Sequence, residues 1–159
     1  MDESKLIMLK VDIDAQVDLI TQTYHRLEER AKQLQPDNQI YLESIAYQIH
    51  NLYNAIEDLL KIIAHHCENN ITDKSQWHSL LLQRMKQDVP KIRPALLSSE
   101  TFMILNQLRG FRHFFRHAYG VEIEYGQLKI NLDKSLFLFP LLTNDLQVFL
   151  RKLTSDNFL

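Results

Sequence analysis

Apolar side chains recur along this chain at three- and four-residue intervals, the spacing that lines one face of a helix. From Lys5 to about Leu34 the series is Leu6, Leu9, Ile13, Val17, Ile20, Tyr24, Leu27, Ala31 and Leu34, and Pro36 follows it. One long helix accounts for that run. Asp37 and Asn38 can cap a second helix, whose apolar face is Ile40, Ile45, Ala46, Ile49, Leu52, Tyr53, Ile56, Leu59, Leu60, Ile63 and Ala64. It runs out at Cys67-Glu68-Asn69-Asn70. A shorter helix is predicted from Ser75 to about Lys86, carrying Trp77, Leu80, Leu81 and Met85, before a connector with Pro90 and Pro94. Ser98 or Ser99 then caps a helix through Phe102, Leu105, Leu108 and Phe111, which stops at Gly120. After a turn through Gly126, residues from about Leu128 to Phe158 read as helical, with Pro140 as a kink or break.

Only three glycines and four prolines punctuate the chain, and no repeat or low-complexity tract interrupts it. The expectation is an all-α protein: an up-and-down bundle of four to five helices with short connections, occupying residues 1–159 as a single domain. At 45% hydrophobic and 24% charged residues, the chain has the composition of an ordinary folded domain. Cys67 is the one cysteine, so no intrachain disulfide or cysteine-based zinc cluster can form. There is no leader-like N-terminus and no apolar run of about 18 residues. Together these point to the cytoplasm and to no membrane partner. A formal net charge of −2 excludes the wrapping of duplex nucleic acid by overall basicity, so any contact with nucleic acid has to be local.

The local concentration of charge is the run Arg109 to Tyr119. On an ideal helix, at about 100° per residue, Arg109, Arg112, His113, Arg116 and His117 fall on one arc, with Tyr119 about 20° from Arg112. Phe111, Phe114, Phe115 and Ala118 take the other side, as an anchor to the bundle. Like charges on a helix repel by tenths of a kcal/mol per pair or so, and an anion held bidentately by guanidinium groups would offset that. Phosphate is such an anion, and imidazole beside it can move a proton. The bland alternative is a solvated basic stretch. His113 and His117 also have the spacing that grips zinc, but no carboxylate follows them in the helix and arginines surround them, so no metal and no cofactor is assigned. His65-His66-Cys67-Glu68 point in different directions and read as a helix end. Tyr53 and Glu57 share a face, and Glu57 is a candidate to orient an arginine of the basic arc, the alternative being a surface carboxylate.

Arg112-x4-His117-x-Tyr119 resembles the R-x4-6-H signature of HEPN domains, in the extended form with a tyrosine two residues after the histidine. That form typifies HepT-like toxin ribonucleases. The stretch Phe111 to Gly120, the stretch Ala46 to Glu57 and Trp77-His78-x-x-Leu81-Leu82 are similar to the same family. His113 stands where many relatives have asparagine, which makes two imidazoles candidates for proton transfer. The resemblance implies a HEPN-like homodimer with its two motifs facing across a cleft. It implies metal-independent cleavage of RNA by the RNA's own 2′-hydroxyl, with Arg112 and His117 catalytic and Arg109, His113 and Arg116 binding substrate. It further implies an MntA-like nucleotidyltransferase antitoxin that attaches AMP to Tyr119, in a toxin–antitoxin system. The alternative function is a helical RNA- or nucleotide-binding module of the same fold that does not cut.

Overall fold

Side chains at the helix starts satisfy backbone N–H groups that have no partner within the helix. The computed structural model describes residues 1–68, 77–117 and 119–155, and among these the elements are Glu3–Ala31 (α1), Gln39–Glu68 (α2), Trp77–Met85 (α3), Ser99–His117 (α4) and Tyr125–Leu153 (α5). Asn69, Asn70, Ser75, Ala118 and Phe158, and the side chain of Trp77, lie outside the described residues. Asp2 accepts the Lys5 N–H at 2.9 Å and opens α1. Asn38 accepts the Ile40 N–H at 3.0 Å and opens α2. Of the two serines proposed for α4, Ser98 is the cap: its Oγ accepts the Thr101 N–H at 3.3 Å, while its own N–H donates to the buried Asp145 at 2.9 Å.

α5 starts earlier than its apolar pattern indicates. Glu124 accepts the N–H groups of Gly126 and Gln127, both at 2.9 Å, and so nucleates the first turn around Gly126. A Cβ at Gly126 would stand 2.8 Å from Glu124 Oε1, the far end of the capping side chain, which would have to shift. Pro140 lies inside α5 and does not end it. Proline lacks the N–H that would bond four residues back, which frees the Leu136 carbonyl. The Tyr24 hydroxyl of α1 donates to that carbonyl at 3.4 Å, and the Tyr24 ring stacks on Phe139 at 4.3 Å.

α2 packs against each of the other four helices and supplies most of the core, with Leu52, Tyr53, Ile56, Leu59, Leu60 and Ile63 all buried. Contacts fix the directions. The Gln16 amide donates to the Ala55 carbonyl at 2.8 Å and Asp12 meets His66 at 2.7 Å, so α1 runs against α2. Gln39 at the start of α2 holds both backbone groups of Ile123, just beyond α4, so α4 runs against α2 as well. The Ser98–Asp145 bond sets α5 against α4. The four long helices therefore alternate up and down. α3 with residues 86–98 covers the remaining end, where the Leu96 and Leu97 N–H groups both bond Met85 O at 2.9 and 3.0 Å.

Arg93 is wholly buried in that connector, a feature hidden in the sequence pattern. Its guanidinium donates to Glu68 at 2.7 Å and to the carbonyls of Gln87, Pro94 and Arg84 at 2.9, 3.1 and 2.9 Å. Arg84 also pairs with Glu68. What reads as a helix end at Glu68 is thus the anchor that ties α2 to α3 and its following loop. No helix among the described residues is long and apolar enough to cross a membrane.

Candidate functional site

The last two turns of α4 carry the basic residues, and antiparallel packing lays them along the first half of α2. Arg112 sits half-buried in the seam. Its Nε donates to Asn54 Oδ1 at 2.7 Å, and its guanidinium carbon lies 6.0 Å from the centroid of the Tyr53 ring. A short charge-assisted bond on one edge and an aromatic face beneath hold the guanidinium in one orientation. Among the described residues it makes no other hydrogen bond, so its two terminal nitrogens keep their donors.

Arg109 folds back on its own helix, bonding Asn106 Oδ1 through Nε and Nη2 at 3.3 and 3.1 Å. His113, Arg116 and His117 are exposed, and the two imidazole rings lie 4.6 Å apart, centroid to centroid. Exposure is thus graded along this end of α4: Arg112 is held in the seam, Arg109 is tied to Asn106, and His113, Arg116 and His117 are exposed.

Tyr119 lies on the turn that follows α4, next to Gly120, whose φ of +75° falls in the left-handed region that favours glycine. Tyr119 is 86% exposed on that turn. Phe114 is not an anchor: Phe111 and Phe115 pack into the bundle, but Phe114 is half-exposed. It lines a cavity of about 580 Å³ between α4 and α5 together with Gly110, Phe111, Ile123, Leu128 and Ile130, on the flank of α4 away from Arg112.

Tyr53 is fully buried, and burial, followed by the Glu57 charge, pushes its phenol far above the ordinary range. Its ring packs against the Arg112 guanidinium. Glu57 is buried too, at 3% exposure, so it is no surface carboxylate. It bonds His78 Nδ1 at 2.6 Å and pairs with Lys61 at 3.4 Å, and so braces α3 rather than orienting an arginine of α4.

The polar partners of Arg112 come instead from Asn54 and, behind it, His50, whose Nε2 lies 3.0 Å from Asn54 Nδ2. Burial first, then the charges of Arg112 and Arg116, lower the proton affinity of His50. Two polar residues four apart in a helix otherwise rich in apolar positions were the available signal. Among the described residues no group of three His, Cys, Asp or Glu side chains is placed to hold a metal ion.

The family model described as HepT-like protein matches residues 44–153, from early α2 to the end of α5. The chain belongs to the HepT-like family of HEPN proteins. No curated protein and no solved structure gives a significant match. The matched span holds every element of the site: Asn54, Tyr53 and the whole basic segment of α4. Membership suggests a toxin-type HEPN function, and the all-α bundle accords with it.

Proposed function

We propose that this HepT-like chain is the toxin of a toxin–antitoxin pair, a metal-independent endoribonuclease acting through Arg112, His117 and Tyr119. The observation that carries the reading is the fixed Arg112, held on one edge by Asn54 at 2.7 Å with its terminal nitrogens unspent, on a helix that ends at the exposed His117. A planar fork with both terminal nitrogens free to donate matches the oxygens of a phosphodiester. Three arginines and two histidines on one helix end, in a chain of net charge −2, favour a local anionic ligand over general basicity.

In this scheme the RNA's 2′-oxygen attacks the adjacent phosphorus as His117 takes its proton. The bond from phosphorus to the 5′-oxygen breaks, that oxygen is protonated, and a 2′,3′-cyclic phosphate remains. Arg112 stabilises the charge that grows on the phosphate oxygens. One motif supplies few groups for both proton transfers, so the working unit is a homodimer with the two motifs facing across its axis. Arg109, His113 and Arg116 hold the flanking phosphates. The antitoxin is an MntA-like nucleotidyltransferase that adds AMP to the exposed Tyr119 hydroxyl, setting new negative charge among these arginines.

His117→Ala provides the test. It abolishes cleavage of a single-stranded RNA while leaving its affinity within a few-fold, because binding draws on the arginines. A wild-type chain that binds the RNA and never cuts it would make the protein a binding module and overturn the ribonuclease reading.

A further inference from the structure

The hydrogen bonds around Arg112 determine a protonation state further back. A guanidinium has only donors, so the Asn54 atom 2.7 Å from Arg112 Nε has to be the amide oxygen. The other end of that amide is then the NH2 group, and it faces His50 Nε2 at 3.0 Å. An NH2 group only donates, so His50 Nε2 presents its lone pair. The imidazole is therefore neutral and carries its proton on Nδ1. His50 Nδ1 is buried and, among the described residues, has no hydrogen-bond partner.

The surroundings favour the same state. The Phe115 ring lies 5.5 Å from the His50 ring, and the charged groups acting on His50 are Arg112 and Arg116 of α4, both cationic. A histidine kept neutral, with an unpartnered buried N–H of this kind, is costly as a mere packing element. Its cost is explained if the lone pair on Nε2 has a task.

We propose that His50 and Asn54 are positioning residues that clamp Arg112 through an imidazole–amide–guanidinium chain running from α2 to α4. The clamp rests on the reading of Arg112 as the phosphate-binding group. His50 fixes which way the Asn54 amide points, and the amide fixes the Nε edge of Arg112, so that the two terminal nitrogens face outward in one plane. Protonating His50 turns Nε2 into a donor. The amide must then rotate, its NH2 group meets the Arg112 N–H, and the clamp opens. The device therefore works above the depressed titration point of His50 and fails as pH falls through it.

The direct test is nitrogen NMR of the ring couplings in the full chain at pH 7, with the His50 signals identified by their loss in His50→Gln. The expected pattern is a neutral ring protonated at Nδ1. A ring protonated at Nε2, or an imidazolium, overturns the proposal. Activity gives the second readout. Asn54→Ala and His50→Leu, both checked for native thermal unfolding, should lower kcat by roughly 10- to 100-fold, the range of one charge-assisted hydrogen bond. His50→Gln retains an acceptor, so it should keep most activity at pH 7 and lose one ionisation from the acid limb of kcat/KM. An unchanged acid limb in His50→Gln, or full activity in His50→Leu, would refute the clamp. A chain that cuts no RNA but shows the Nδ1-protonated ring supports the clamp and refutes the ribonuclease reading. One that cuts RNA with the Nε2-protonated ring does the reverse.

Discussion

Replacing Arg93 with methionine should produce the largest single loss of stability available outside the apolar core. The side chain is 0% exposed, and its guanidinium meets Glu68 and three backbone carbonyls, those of Arg84, Gln87 and Pro94. Methionine fills similar space and supplies no donor. The Glu68 carboxylate, itself 2% exposed in its side chain, would keep only Arg84, which lies on the solvent side at 52% exposure. Removing one partner of a buried ion pair costs about 3–5 kcal/mol, because the remaining charge stays desolvated. The carbonyl at Gln87 is in an exposed residue and can turn to water, so the losses do not simply add. Taking about 4 kcal/mol and a urea slope of about 2 kcal/mol/M, the unfolding midpoint should fall by roughly 2 M. The assay is urea unfolding followed by circular dichroism. A paired control, Arg93→Met with Glu68→Met, should recover part of the loss, since it removes the stranded charge together with its partner. A loss below about 1 kcal/mol in Arg93→Met, or no recovery in the double variant, would show that this pair does not hold α2 to α3 and would refute the reasoning.

The remaining predictions concern the chemistry. Cleavage of RNA should persist in excess EDTA and leave 2′,3′-cyclic phosphate ends by mass spectrometry; activity that vanishes with EDTA and returns with zinc would point instead to a metal on His113 and His117. Co-expression with the partner nucleotidyltransferase should add one or more AMP masses to the wild-type chain and none to Tyr119→Phe; neutralisation of an unmodified wild-type chain would mean that the partner simply occludes the site. Cys67 should react slowly, because burial, opposed only in part by Arg93, pushes its thiol up to about 11 from 9.0. Bimane labelling at pH 8 should then be about 100-fold slower in the native chain than in urea, reflecting the smaller thiolate fraction, and equal rates would contradict it.

The sequence by itself determined the elements that depend on local spacing. The apolar stripes placed α1, α2 and α4 to within a few residues, and Asn38 and Ser98 were legible as caps because a cap acts only two or three residues ahead. The Arg112-x4-His117 pair was legible for the same reason: both lie on one short stretch of one helix. Pairings across the bundle were not. The Leu136 carbonyl that Pro140 frees is met by Tyr24 across 112 positions, and nothing near Pro140 in the chain announces it. Glu57 looked available to the basic arc by its face of α2, yet packing brings His78 to it first. Tyr119 is 86% exposed on the turn after α4, an exposure that helix spacing does not give. Arg112 was visible as a charge, whereas its orientation was decided by Asn54, 58 residues away, and by His50 behind it. Side-chain spacing says which groups leave a helix together. Which of them are clamped, buried or left for a ligand depends on what the neighbouring helix places opposite, and that is fixed only when the helices pack.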